Sequence, residues 1–116
     1  FKNWHWRFFP SQRLADQVLP EARDRLPGPV RVVMGPYAEA GALALRLPGA
    51  PYVLMRVRGQ YRFSPWVPEG LVERCGAVEL FDAPPAPAPA RGLPGPWSRL
   101  DWRIVPPQPG AGPCEP

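Results

Sequence analysis

Arg58, Gln60, Tyr61, Arg62 and Trp66 stand close together, just after a short apolar run. Arginine grips phosphate through paired N–H donors. Aromatic faces stack on sugar rings, and Gln and Arg bind hydroxyls. This set could hold a phosphate or a sugar. The same stretch admits a packing role, with Tyr61, Phe63 and Trp66 plugging the end of a sheet. Upstream, Met34-Gly35-Pro36-Tyr37 is a turn of the kind that joins a strand to a helix N-terminus, where backbone N–H groups can hold an anion. It offers one glycine where a phosphate loop has several, and Pro36 removes a donor. Glu39 falls in the first turn of that helix. It is either a favourable charge near the positive helix end or a polar group facing a ligand. The candidate ligand-binding residues are therefore Tyr37, Glu39, Arg58, Gln60, Tyr61, Arg62 and Trp66.

Other chemistry is missing from the sequence. The single histidine, His5, lies among aromatics near the N-terminus, so a triad or a histidine metal site would need it to fold back over the core. No GxSxG, Walker-type or GxGxxG run occurs. No catalytic residue, metal site or cofactor is assigned. The two cysteines, Cys75 and Cys114, fit no zinc or redox spacing. One disulfide is possible, but the placing of Cys114 in a tail that reads as disordered favours two unrelated thiols.

The elements that must position these residues alternate. Val30–Met34 is a β-branched run, Tyr37–Leu47 is helix-like, and Tyr52–Met55 is a second strand. A short helix over Glu69–Arg74 and a third strand over Ala77–Phe81 follow. This alternation predicts an α/β fold, a small three-layer sandwich with flanking helices. Its sheet is mostly parallel, with three to four strands. In such sheets ligands sit beyond the carboxyl ends of the strands, where the Arg58–Trp66 loop would lie. Ahead of the first strand, Leu14, Ala15, Val18, Leu19, Ala22 and Leu26 form a helical apolar stripe that Ser11 can cap. Pro20 predicts a kink there, or two short helices. The small residues of the Tyr37–Leu47 helix predict close approach to the sheet, which would compensate Gly41.

The sequence divides accordingly. Residues 1–10, FKNWHWRFFP, form an aromatic and basic arm, and 11–82 the α/β core. Residues 83–96 read as a Pro/Ala-rich linker and 97–105 as an added edge strand. Residues 106–116 read as a disordered tail. A chain of 116 residues supports one small core. Its net charge of +4 admits an anionic partner, but no run of like charges or nucleic-acid motif occurs, and no nucleic acid is expected. No stretch is long and apolar enough to span a membrane. The start at Phe1 without Met suggests a piece of a longer protein. Trp and Phe mixed with Lys and Arg in the arm suit a membrane–water interface, and equally an arm packed on the core.

The segment Val30–Phe81 resembles the C-terminal soluble domain of bacterial membrane glycosyltransferases. The group is the dolichyl-phosphate-mannose-protein mannosyltransferase-like one, relatives of the aminoarabinose transferases that modify lipid A. Three motifs carry the resemblance: Tyr37-Ala38-Glu39-Ala40-Gly41-Ala42-Leu43-Ala44, Gly59-Gln60-Tyr61 with Trp66 following, and Gly76-Ala77-Val78-Glu79-Leu80-Phe81. Gly59 stands where the group has Asn, and Phe63-Ser64-Pro65 lengthens the spacing to Trp66. The resemblance implies a parent enzyme that transfers sugar from a polyprenyl-phosphate donor on the extracytoplasmic (periplasmic) face of the bacterial inner membrane. Its catalytic carboxylates would lie in the membrane portion, outside this chain. This piece would be an accessory domain. Its partners would be the membrane domain of the same polypeptide and a glycan, lipid or protein acceptor. The alternative is a standalone small α/β binding module for an anionic ligand or a protein partner.

Overall fold

The computed structural model describes residues 9–57, 60–61, 66–84, 87–88 and 90–114; for Val57, Gln60 and Tyr61 the backbone alone is described. The chain runs α1 (Ser11–Arg25), β1 (Val32–Gly35), α2 (Tyr37–Arg46), β2 (Tyr52–Val57), β3 (Gln60–Tyr61), α3 (Leu71–Cys75), β4 (Ala77–Asp82) and β5 (Leu100–Val105). The sheet order is β3-β2-β1-β4-β5. β1 lies between β2 and β4 and is parallel to both. β5 pairs antiparallel with β4, and the two-residue β3 folds back antiparallel on the end of β2. The four longer strands thus form the mostly parallel sheet that the alternation predicts.

Two crossovers leave β1's neighbourhood in opposite directions, one reaching β2 through α2 and the other reaching β4 through α3. Right-handed crossovers then place α2 and α3 on opposite faces, and the packing agrees. Val33, Val78, Leu80, Trp102 and Ile104 pack with α1 and α2 in the larger core. Val32, Met34 and Ala77 pack with Leu71 and Cys75 of α3 in a smaller one. Alternate residues of β1 and β4 serve the two faces, as the two-residue period of a strand requires. The result is three layers.

α1 is one continuous helix despite Pro20, which lies on its exposed side. Packing of Leu14, Ala15, Val18 and Ala22, all buried, outweighs the backbone bond lost at Pro20. Ser11 is not the cap. Pro10 holds that position, and the Ser11 hydroxyl instead accepts a hydrogen bond from Arg46 Nε at 3.2 Å, which ties the start of α1 to the end of α2.

Small residues bring α2 onto the sheet at Ala40 and Ala44, both buried. Gly41 does not take part: a Cβ there would meet nothing within 4 Å. The expectation that close packing compensates Gly41 is corrected, because Gly41 faces the outer flank of α2. Gly41→Ala is therefore expected to stabilise the domain by about 0.5–1 kcal/mol, the helix-interior penalty of glycine. A raised midpoint in urea denaturation with unchanged slope is the expected reading, and a lowered midpoint would contradict the open geometry.

The described parts of residues 83–96 are packed rather than spacer-like. Ala83 N donates to Arg99 O at 2.7 Å, and Leu93 is buried in the larger core. Arg91 anchors the loop. Its carbonyl accepts from Gln17 Nε2 at 3.1 Å, its Nε lies 2.6 Å from Asp101 Oδ1, and its guanidinium stacks 4.0 Å from the Trp102 ring centroid. Arg91 and Leu93 decide that the loop adheres.

Residues 106–114 also depart from the expected disordered tail. Cys114 forms a disulfide with Cys75, and Gln108 N donates to Glu73 O at 2.8 Å. The reading of two unrelated thiols is corrected. β5 ends beside the start of β4, where α3 has just finished, so the chain leaving β5 passes directly over α3.

Candidate functional site at the carboxyl edge of the sheet

β1 and β2 end side by side, with Gly35 paired to Met55. Four of the sequence-predicted residues lie at this end of the sheet. Tyr37 opens α2 immediately after β1 and is 68% exposed. Glu39 is half-buried in the first turn of the same helix. Gln60 and Tyr61 form β3, paired with Val57 and Arg56 at the end of β2. The hairpin therefore pairs back along the outer side of the carboxyl end of β2, with β2 between it and the strand that launches α2. Trp66 follows and is 80% exposed. That exposure favours a solvent-facing Trp66 over one that plugs the sheet. Arg58 and Arg62, and Phe63 with them, lie outside the described residues.

Sequence reasoning missed Glu79. It sits in the middle of β4 between Ala77 and Phe81, on the α3 face, and is 7% exposed. In register it lies between Met34 of β1 and Arg103 of β5. Arg103 Nε is 2.6 Å from Glu79 Oε1. The arginine side chain is 67% exposed and the glutamate side chain 9% exposed, so the pair places a shielded carboxylate under a wet guanidinium. Such a pair contributes modest net stability, because the charges lose hydration as they gain each other. The Arg103 guanidinium also lies 6.0 Å from the Phe81 ring centroid. The available signal was an acid inside the apolar run Ala77-Val78-Glu79-Leu80-Phe81, since strand interiors seldom bury one unpaired.

Arg56 alternates with Leu54 along β2 and so shares the α3 face with Glu79 and Arg103. That face thus carries two arginines, a carboxylate and Phe81. α2's N-terminus and the β2–β3 hairpin stand at the adjoining edge. This assortment can accept and donate hydrogen bonds to a polyhydroxylated or anionic ligand. It shows no nucleophile–base pair among the described residues. Among the described residues no three His, Cys, Asp or Glu side chains group as metal ligands.

An apolar groove of about 680 Å³ runs from Tyr37 along the outer flank of α2, lined also by Gly41, Ala42, Leu45, Ala50 and Val53. Leu45 is 87% exposed there. Among the described residues no helix is long and apolar enough to cross a membrane. Comparison with protein-family profiles, with curated proteins and with solved structures finds no match to this chain.

Proposed function

We propose that this chain is an accessory extracytoplasmic domain of a polyprenyl-phosphate-sugar-dependent membrane glycosyltransferase. In this reading its carboxyl-edge residues contact the acceptor or brace the membrane portion of the same polypeptide. The observation that carries the reading is that two separated motifs lie at the same end of the sheet, one following β1 and the other on the far side of β2. The Tyr37 helix start and the Gln60-Tyr61 hairpin are the two segments in which the chain resembles that group, and both stand at the paired ends of β1 and β2. Ligands of parallel α/β sheets bind beyond those ends. The Cys75–Cys114 disulfide supports the location, because such bonds persist in oxidising compartments. Chemistry would occur in the membrane portion, and this domain alone would not turn over substrate.

Two measurements test this. The first is the gene sequence upstream of the Phe1 codon. An open frame with many hydrophobic spans supports the proposal, whereas a start codon close to Phe1 makes the chain a free-standing binding module. The second uses the full-length protein. Tyr61→Ala and Trp66→Ala are each expected to lower sugar transfer about tenfold, the worth of one stacking aromatic, with the thermal midpoint of the domain unchanged. Wild-type turnover in both folded variants would remove these residues from the site.

A further inference from the structure

The segment that follows β5 lies over α3, and one covalent bond anchors its far end. No residue from Pro106 to Cys114 is buried. Its backbone ties include Gln108 N to Glu73 O at 2.8 Å and the internal turn Ala111 N to Gln108 O at 3.2 Å. Four glycines and prolines among residues 109–113 leave few side chains to grip the surface. Cys114, by contrast, is bonded to Cys75, which is 2% exposed at the end of α3. A segment with so little buried area has a low opening free energy once its covalent anchor is gone.

Beneath it lies the smaller core, in which Val32, Met34, Leu71 and Ala77 are joined by Leu54, Val72 and Val105. A cavity of about 260 Å³ opens between Met34, Leu54, Val72 and Val105 on one side and Pro106 and Gln108 on the other. α3 has five residues, too few to persist without tertiary support. The larger core on the opposite face includes neither cysteine. One bond therefore governs the cover of one face and leaves the other untouched.

From this we infer that residues 106–114 form a redox-releasable strap, which closes the α3 face when Cys75 and Cys114 are joined and uncovers an apolar surface when they are reduced. The reductant is a dithiol delivered to the proposed extracytoplasmic compartment, whose own oxidising poise otherwise keeps the strap closed. One of its thiolates attacks Cys114 Sγ, the more accessible sulfur, and the Cys75–Cys114 bond breaks as a mixed disulfide forms. The reductant's second thiol then closes its own disulfide and expels Cys114. Two electrons pass to the protein, two protons are taken up, and two thiols result. Cys75 stays in the core and Cys114 departs with the strap.

Hydrogen exchange on the whole chain tests this, with the oxidised protein compared against protein in millimolar dithiothreitol and against Cys114→Ser. The Gln108 amide, bonded to Glu73 O, is the reporter. Its exchange is expected to accelerate at least ~tenfold in both the reduced protein and the variant, while amides of α1, α2 and β4 keep their protection. Binding of a naphthalene-sulfonate dye should rise in parallel. Continued protection of Gln108 after reduction, verified by alkylation of both thiols, would overturn the strap. Cooperative loss of protection throughout the chain would overturn it as well, since the bond would then hold the whole fold.

Discussion

Gly76→Ala is expected to destabilise the domain by about 3 kcal/mol, with a fall of about 15 °C in thermal midpoint. Gly76 joins α3 to β4 with φ of +75° and ψ of −172°, a region essentially confined to glycine where an L side chain costs about 1–3 kcal/mol. A Cβ at this position would also stand 2.4 Å from Val105 O and 2.7 Å from Leu26 Cδ2. Val105 O belongs to the β4–β5 ladder and cannot withdraw without breaking the Ala77–Val105 pairing. Leu26 closes the end of α1 and belongs to the larger core. The junction is thus pressed from β5 and α1 together, and strain adds to steric overlap. Chemical denaturation of the purified variant checks this. A loss below about 1 kcal/mol would mean that the strands and α1 do not converge on Gly76 as described.

Leu80→Ala should cost about 3–4 kcal/mol, within the range for a leucine removed from a rigid core. Leu80 is fully buried on β4, pairs in register with Trp102, and lies against the backbone of Gly35. β1 on one side and β5 on the other fix its surroundings, so the void cannot collapse. The effect should be global, lowering the protection of α1, α2 and the sheet together. Leu71 is equally enclosed, but it belongs to the smaller core beneath α3. Equal protection of α1 amides in wild type and Leu80→Ala would show that β4 is not the centre of the cooperative unit.

Much of the fold was legible because the relevant signals are local. Val30–Met34, Tyr52–Met55 and Ala77–Phe81 are β-branched or apolar runs, each preceded by Gly or Pro, and each became a strand within one or two residues of its expected bounds. The helix before β1 was legible from its stripe, although Pro20 made its continuity undecidable: a proline penalty is local, whereas the burial that offsets it comes from the sheet and α2. Ser11 misled for a similar reason. Its type suits a cap, but Arg46, distant in sequence, competes for the hydroxyl.

The candidate site was legible in part. Tyr37, Glu39 and the Gln60-Tyr61 pair could be assigned to one edge because parallel topology sends the carboxyl ends of β1, β2 and β4 there. Glu79 was not, because an acid inside a strand gains meaning only from what lies opposite it, and Arg103 arrives on β5 after a long loop.

The sequence by itself determined the alternation of strands and helices, the parallel centre of the sheet and the edge at which polar residues gather. Hydrophobic period, turn residues and crossover handedness are properties of short segments. Tertiary structure alone decided the rest. It set Glu79 against Arg103, turned the Pro/Ala-rich loop into a packed one through Arg91 and Leu93, and joined Cys75 to Cys114 across the α3 face. Each of those outcomes depends on which distant segments become neighbours, and composition and spacing carry no record of that.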